Sequence, residues 1–208
     1  MDFPKYRVPF VALAVAGLIS GCTSGVKNPS GTPVTEMRAD ERGFVAGTGI
    51  ESQDLVMVTD KMARSILAIP QIASAQGVPH IVLEPVINNS RFPIDKEIFL
   101  TRIEGQLSTK AMGKVVFLAR DRMAALERER ELKRTGQVTA SADPAPVEFK
   151  GADFFLTGKL QSLTSRTGAG ISDYVLYTFE LIDARTSEKV WMDQAEIKKQ
   201  GLEDAAYR

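Results

Sequence analysis

The sequence is poor in the residues that most enzyme sites use. It has one cysteine, Cys22, and one histidine, His80, among its 208 residues. A disulfide within the chain is therefore excluded, and so is a metal site built on several cysteines or histidines. A Ser-His-Asp triad would have only His80 to draw on, and no Gly-x-Ser-x-Gly motif lies near it. We expect His80, at the start of a buried strand, to have a structural role.

An excess of charge of one sign is also missing. The chain has 26 basic and 26 acidic residues, which gives no electrostatic basis for binding nucleic acid.

The glycines of Thr167–Gly170 are typical of a hairpin turn, because no Lys-Ser/Thr follows them as in a phosphate-binding loop. Glu127, Glu129 and Glu131 alternate with arginines and indicate a solvated helix face. We therefore predict no catalytic residue, no metal, no cofactor and no small-molecule substrate.

The amino terminus lacks an apolar run long enough to remain in a membrane. Val8–Ile19 has 12 residues, whereas a spanning helix needs about 20. Basic residues precede this run and Ser20-Gly21-Cys22 follows it, an order typical of a secretory signal. The small residues give a peptidase access, and the thiol can then accept a diacylglyceryl group. We predict that residues 1–21 are a lipoprotein signal peptide and that Cys22 becomes lipidated.

The segment after the predicted lipid anchor indicates location and organisation. Thr23 follows Cys22 in place of the aspartate that favours inner-membrane retention in enteric-type bacteria, so by resemblance to that rule we expect the periplasmic face of the outer membrane. Residues 22–49 are rich in Ser, Gly, Thr and Pro without an apolar period, which predicts a flexible linker. Residues 50–200 have the length of one globular domain, and residues 201–208 form a tail.

Three helices are predicted from apolar residues at steps of three and four. They run from Ser52 to just before Pro70, from Asp95 to near Gly113 and from Asp121 to Gly136, with Ser52, Asp95 and Asp121 as N-caps. The third is mostly charged, and pairs such as Glu129 with Lys133 support a solvated helix.

Five strands are predicted from short apolar runs and from alternation of apolar and polar residues. They are His80–Ile87, Lys114–Ala119, Asp153–Leu163, Asp173–Ile182 and Lys189–Ile197. The short links between the last three favour antiparallel hairpins, and residues 137–150 are expected to form a surface loop. Trp191, in the last strand, is expected to pack in the core. The order α-β-α-β-α-β-β-β predicts an α/β (α+β) fold, a two-layer mixed sheet of about five strands covered by helices.

Four polar residues follow the first predicted strand: Asn88, Asn89, Ser90 and Arg91. Polar side chains at the end of a strand are available to bind a partner, so these four are the candidate partner-binding residues. A simple turn explains the same composition. Both interpretations stay open at the level of the sequence.

Several phrases of the sequence resemble those of a known family. They are Asp54-Leu55-Val56, Lys61-Met62, Val86-Ile87-Asn88-Asn89-Ser90, Lys114-Val115-Val116-Phe117, Asp121-Arg122-Met123, Gly151-Ala152-Asp153-Phe154-Phe155-Leu156 and the run from Leu181 to Trp191. The chain resembles the LpoB family, the outer-membrane lipoproteins that activate penicillin-binding proteins. The resemblance rests on these phrases, on their order between Asp54 and Ile197, and on the predicted lipid cysteine.

The resemblance implies a fold and a function. The fold would be a helix-covered mixed sheet similar to the amino-terminal domain of TolB. The function would be non-enzymatic: direct binding in the periplasm to a class A penicillin-binding protein, a bifunctional peptidoglycan synthase, which it stimulates. The alternative is a structural or assembly lipoprotein of the outer membrane, curli-secretion-like or flagellar-associated, which would form stable oligomers.

Overall fold

The computed structural model describes residues 34, 36–43, 46–139 and 148–202. The helices are α1 (Ser52–Ala68), α2 (Pro70–Ala73), α3 (Glu97–Lys110) and α4 (Met123–Arg134), and a 3-10 helix (Arg120–Arg122) precedes α4. The strands are β1 (His80–Leu83), β2 (Ile87–Asn89), β3 (Val116–Phe117), β4 (Phe154–Thr167), β5 (Gly170–Asp183) and β6 (Lys189–Gly201).

The strands form one mixed sheet in the order β3-β1-β4-β5-β6, with β2 also paired to β4. Pairings among β1, β2, β3 and β4 are parallel, whereas β4, β5 and β6 form consecutive antiparallel hairpins. This architecture confirms the α+β prediction. The described part of the sheet has six strands where about five were expected.

Helix α1 carries the apolar stripe that the sequence predicts. Its N-cap is Glu51, so the prediction of Ser52 was wrong by one position. The reason is that the Asp54 carboxylate accepts a hydrogen bond from the backbone N–H of Glu51 at 2.8 Å and so fixes the helix start there. Met62 and Ile66 are fully buried. The helix ends before a proline, as expected, and that proline begins the short helix α2, which was not predicted.

Helix α3 packs beside α1 against the sheet. Lys96 occupies its N-cap position, where Asp95 was predicted, yet the Asp95 side chain still accepts a hydrogen bond from the Glu97 N–H at 3.1 Å. The Phe99 ring lies 5.5 Å from the ring of Tyr177 and 6.2 Å from that of Phe179, centroid to centroid. These aromatic contacts join α3 to the face of β5 that forms the core.

The first predicted strand is interrupted. The structure has two strands, β1 and β2, separated by residues 84–86. Pro85 cannot donate to a sheet, and the chain shifts along β4 there: Leu83 pairs with Leu156 whereas Ile87 pairs with Lys159. The prediction that Asn88 begins a loop was therefore wrong, because β2 ends one residue after it.

The region around α4 differs most from expectation. The predicted strand Lys114–Ala119 is reduced to the two residues of β3. Asp121 lies within the 3-10 helix and does not cap α4, because this turn places it one residue before the N-cap position, which Arg122 occupies. Helix α4 has no buried residue, and the predicted pair of Glu129 with Lys133 is present at 3.4 Å. It is a solvated helix, as its charge pattern indicates.

The long hairpins extend beyond the predicted strand ends. Thr167 pairs with Gly170, so the predicted turn is confirmed. Gly170 has φ +139°, and a Cβ there would lie 2.4 Å from the carbonyl oxygen of Gly201. Glycine is therefore required by both the backbone conformation and the available space.

Trp191 is 8% exposed, and its Nε1–H donates to Ser65 Oγ at 2.9 Å, which confirms the predicted core position.

Candidate functional site

The predicted lipid site, Cys22, lies outside the described residues, as do the signal peptide and most of the predicted linker. Of the predicted tail, only residues 201 and 202 are described. In the described ranges, no helix has the length and apolar character to cross a membrane. Lipidation and the domain limits therefore stay predictions.

Asn88 uses its side chain to build a turn. Its Oδ1 accepts hydrogen bonds from the N–H of Ser90 at 3.0 Å and from the Ser90 hydroxyl at 2.6 Å. Its Nδ2 donates to the carbonyl oxygen of Phe92 at 2.9 Å. The Asn88 side chain thus stabilises the turn that follows β2, and its amide groups are already hydrogen-bonded within the protein. The neighbouring Asn89 is exposed.

Arg91 is directed toward the sheet and pairs with a buried carboxylate. Its Nε and Nη2 donate to the two oxygens of Asp173, at 2.9 and 2.5 Å. The Arg91 side chain is 27% exposed and that of Asp173 is 0% exposed. Thr48 and Thr164 donate their hydroxyls to the same carboxylate, each at 2.5 Å. The two-oxygen contact fixes Arg91 in orientation as well as in position.

The surroundings of Asp173 favour its ionised form. Burial raises the pKa of this carboxyl, but the hydrogen bonds from Arg91, Thr164 and Thr48 together outweigh burial and hold the pKa below its ordinary value. A carboxylate with four donors around it is a structural anion. It has no free lone pair positioned for proton transfer to a ligand.

A second buried ion pair lies next to the first along the same row of the sheet. Lys199, which pairs with Asp173 across β5 and β6, donates its Nζ to Asp54 at 2.5 Å and to the carbonyl oxygen of Gly49 at 2.8 Å. The linked side chains, here called the polar cluster, are Thr48, Asp54, Arg91, Thr164, Asp173 and Lys199. It attaches residues 48 and 49, at the end of the predicted linker, to the domain.

The polar cluster was not predicted, although the sequence contains a signal for it. On β5 the residues Val175, Tyr177 and Phe179 alternate inward and are all buried. Asp173 is in phase with them, so it points to the same face. A carboxylate that points to the same face as buried apolar residues must have hydrogen-bond or charged partners. The sequence does not identify these partners, because Arg91 and Thr48 are 82 and 125 residues away from Asp173.

The opposite face of the three long strands has no helix packed on it in the described part of the chain. Helices α1 and α3 contact the strands through Trp191, Tyr177 and Phe179, which all point to the other side. We call the helix-free side the open face. Its cross-strand rows are Ile87-Lys159-Thr178-Gln194, Asn89-Gln161-Leu176-Glu196, Leu163-Tyr174-Lys198 and Ser165-Ser172-Gln200.

Some charged side chains of the open face form ion pairs and others do not. Glu180 binds Lys189 at 2.8 Å. Partial burial raises the pKa of the Tyr174 hydroxyl, and the neighbouring Glu196 carboxylate raises it further. Glu180 is thus paired with a cation, whereas Glu196 faces the neutral hydroxyl of Tyr174. Lys159 and Lys198, in contrast, make no ion pair or side-chain hydrogen bond within the described residues.

His80 lies at the far end of the sheet from the polar cluster. Its backbone N–H donates to Asp153 Oδ2 at 2.7 Å, and its Nδ1 lies 3.1 Å from the same oxygen. The pair joins the start of β1 to the start of β4 and borders an open cleft of about 790 Å³. In the described ranges, no three His, Cys, Asp or Glu side chains are grouped to hold a metal. This arrangement fits the structural role expected of His80.

The fold and its surfaces define a class: an α+β domain on a mixed sheet, with one face covered by helices and one face open. The chain belongs to the LpoB family, because the family model described as peptidoglycan-synthase activator LpoB matches residues 54–197. Members of this family are outer-membrane lipoproteins, and they are regulatory activators and not enzymes. Membership supports a role in peptidoglycan synthesis as an activator of penicillin-binding proteins.

Solved structures with a similar fold include members of the same family. The LpoB carboxyl-terminal domain from Salmonella enterica is 10% identical with a TM-score of 0.43, and the alignment covers 69% of this chain and 98% of that one. The corresponding domain from Escherichia coli is 13% identical, with a TM-score of 0.37 and the same coverage. No curated protein matches the chain. Because these TM-scores are low, the family assignment rests on the family model alone.

Proposed function

We propose that this chain is a periplasmic lipoprotein that binds a class A penicillin-binding protein directly and raises its rate of peptidoglycan synthesis. The observation that carries the proposal is the match to the activator family over residues 54–197. The order of signal, small residues and Cys22 at the amino terminus supports it independently, because an activator of a periplasmic enzyme must be exported.

The anchor is the acylated thiol of Cys22, held in the periplasmic face of the outer membrane. Intact mass spectrometry of the native protein tests this directly. The expected result is a chain that begins at Cys22 and carries acyl groups, and Cys22→Ser should release the protein from the membrane fraction. A native chain that still begins at Met1 with an unmodified sulfur would contradict the proposal.

Activation without catalytic groups requires differential binding. If the synthase exchanges between a less active and a more active state, the lipoprotein shifts that equilibrium only by binding the active state more tightly. A tenfold shift corresponds to about 1.4 kcal/mol of preference. A rigid domain supplies such a preference well, because little conformational entropy is lost when it binds.

The candidate partner-binding residues have different roles in this proposal. The side chains of Asn88, Ser90 and Arg91 hold the turn and the polar cluster, which fixes the position of the exposed Asn89. We expect Asn89→Ala to weaken partner binding without affecting stability. Asn88→Ala, its matched neighbour, should lower stability first because it loses the hydrogen bonds of the turn.

The test of the function uses the full chain in detergent and a class A penicillin-binding protein from the same bacterium. Binding is measured by biolayer interferometry, and glycan polymerisation is measured with a fluorescent lipid-linked precursor. The expected result is saturable binding and faster polymerisation. No binding at tens of micromolar, with a synthase that is active alone, would overturn the proposal.

The alternative of an assembly lipoprotein stays a prediction, and the sheet edge bears on it. At the middle of the edge strand β6, the Gln194 N–H donates to Asp193 Oδ1 at 2.7 Å, and Lys61 donates to the Gln194 carbonyl oxygen. Side chains therefore occupy backbone groups that another strand would need, which opposes edge-to-edge pairing. Light scattering of the purified chain separates the two functions: the activator should be monomeric, and a stable ring would favour assembly.

A further inference from the structure

The open face carries apolar side chains on three neighbouring strands, β2, β4 and β5, in rows that lie on the other side of the sheet from helix α1. Its aliphatic side chains include two that are more than half exposed, Leu163 at 67% and Ile87 at 54%. Tyr174 and Leu176, on the central strand, are half-buried between the neighbouring rows. We call this surface the open patch; it consists of Ile87, Lys159, Leu163, Tyr174, Leu176 and Lys198.

The two lysines mark opposite corners of the open patch. Lys159 is on β4 and Lys198 is on β6, two strands away, or about 10 Å across the sheet. They also differ by two rows, or about 14 Å along the strands. Leu176 lies in the row between them, on the strand between them. The Cα atoms of the two lysines are therefore roughly 17 Å apart, with Leu176 between them.

Among the described residues of the open face, three lysines face two glutamates, an excess of one positive charge. Glu180 pairs with Lys189, and Glu196 lies opposite Leu176 in the row between Lys159 and Lys198. The ammonium groups of Lys159 and Lys198 have no such partner among the described residues. A macromolecule that docks here gains by presenting carboxylates to these corners and an apolar side chain to the centre.

The end of the open patch leads into a concavity. Ser165, Ser172 and Gln200 form the next row of the open face and line a groove of about 550 Å³ together with Lys198. The lip of this groove is Leu202, which is 85% exposed. A flat apolar surface that continues into a groove offers a place for one anchoring side chain, the feature that dominates many protein interfaces.

We propose that the open patch is the surface through which the chain docks on the penicillin-binding protein, and that the partner contributes an acidic segment with an apolar side chain between its carboxylates. This inference rests on the proposed function. Other surfaces suit the role less, because the side chains of the polar cluster are already paired and the middle of the β6 edge is occupied by Lys61 and Asp193.

Two variants of the full chain test the proposal by binding to the class A synthase. Leu163→Glu places a like charge where the acidic partner docks, and Lys198→Glu reverses one corner. Each is expected to weaken binding at least tenfold with an unchanged thermal midpoint. Lys198→Glu should also make the affinity less sensitive to salt, because one attractive charge is lost.

The matched controls place the same changes elsewhere on the surface. Met112→Glu alters a side chain that is 88% exposed after α3, and Lys114→Glu reverses an exposed lysine nearby; both should bind as the unmodified chain does. If Leu163→Glu lowers the thermal midpoint, Leu163→Ser removes the same contact without adding charge.

The outcomes separate this inference from the proposed function. If the unmodified chain binds and both patch variants bind equally well, the patch is overturned and the activator function stands. The patch is also overturned if the control variants lose as much affinity as the patch variants. If the unmodified chain does not bind the synthase at all, the proposed function fails, and the docking partner named for the patch fails with it.

Discussion

The two faces of the β4–β5–β6 hairpins are built from alternate residues of the same strands, yet they have opposite properties. On β5, Tyr177 and Phe179 face the helices and are 0% exposed. Their neighbours Leu176 and Glu180 face the open side and are half-buried. Both sets include apolar residues, so alternation defines two faces without deciding which one becomes the core. The apolar stripes of α1 and α3 decide that.

The helix-covered face also changes along its length. Along most of α1 and α3 it is apolar; at the amino-terminal end of α1, where Asp54 binds Lys199, it continues as the polar cluster. There, hydrogen-bonded charges and the residues around Thr48 complete the cover that α1 begins. The comparison teaches that this face is closed along its described length by fixed partners, while the open face keeps its side chains available for a partner.

The largest expected effect comes from removing an aromatic ring of the covered face. Phe99→Ala deletes the ring that packs on Tyr177 and Phe179. We expect a loss of about 3–5 kcal/mol in the free energy of unfolding, measured by urea denaturation, because burial is lost and a cavity remains. Leu163→Ala on the open face is the control. If the two variants lost similar stability, the distinction between the faces would be wrong.

The next largest effect is expected at the polar cluster. Asp173→Ala leaves the Arg91 guanidinium without its carboxylate in a partly buried site. Removing one partner of a buried ion pair costs about 3–5 kcal/mol, and since Arg91 is 27% exposed, we expect about 2–4 kcal/mol by urea denaturation. A loss below about 0.5 kcal/mol, as at ordinary surface sites, would mean that the cluster does not close the covered face.

The pH dependence of stability tests the charge state of the Asp173 carboxylate. Its folded-state pKa is lowered, so its contribution to stability is present above the ordinary value of 3.8 and is lost as the pH falls through the folded-state pKa. The difference in stability between the unmodified chain and Asp173→Asn should therefore be constant near neutral pH and shrink below about pH 4. A difference that grew with acid would contradict the assigned charge state.

The sequence predicted the elements of the fold well wherever a pattern is local. The stripe of α1 with Met62 and Ile66, and the alternation around Tyr177, are set by neighbours three, four or two residues away, and the structure confirms both. The N-cap was predicted at Ser52, one residue after the actual N-cap Glu51, because the capping carboxylate of Asp54 lies inside the helix and not before it.

The candidate site was less predictable because it depends on pairs distant in sequence. The phrase from Asn88 to Arg91 was singled out as polar, with partner binding and a simple turn both left open, because the partner of Arg91 is 82 residues away. Likewise, the open patch exists only because parallel pairing puts Ile87 beside Lys159 and antiparallel pairing puts Leu163 beside Tyr174. Register across strands is a tertiary property, and one sequence does not encode it locally.

A smaller effect is expected where the covered face is tightest. Gly158 lies beneath the ring of Phe179, and an added Cβ would approach the ring carbon at 2.6 Å. We expect Gly158→Ala to lower the free energy of unfolding by about 1–3 kcal/mol, because a fully buried ring has little room to move. Gly105→Ala is the matched control, since a Cβ there meets nothing within 4 Å. Being within helix α3, it should be neutral or stabilising by up to about 1 kcal/mol.

The smallest effect on stability is expected on the open face, and a small effect there would show that the face is solvent-exposed. Leu163 is 67% exposed although it alternates in a long strand, so Leu163→Ser should change the free energy of unfolding by no more than about 0.5 kcal/mol in urea. Selection for folding alone gives little reason to keep a leucine there, because its removal costs almost nothing. If the variant were instead destabilised by 2 kcal/mol or more, roughly the value of a buried leucine, then Leu163 would be covered in solution and the open face would not be open.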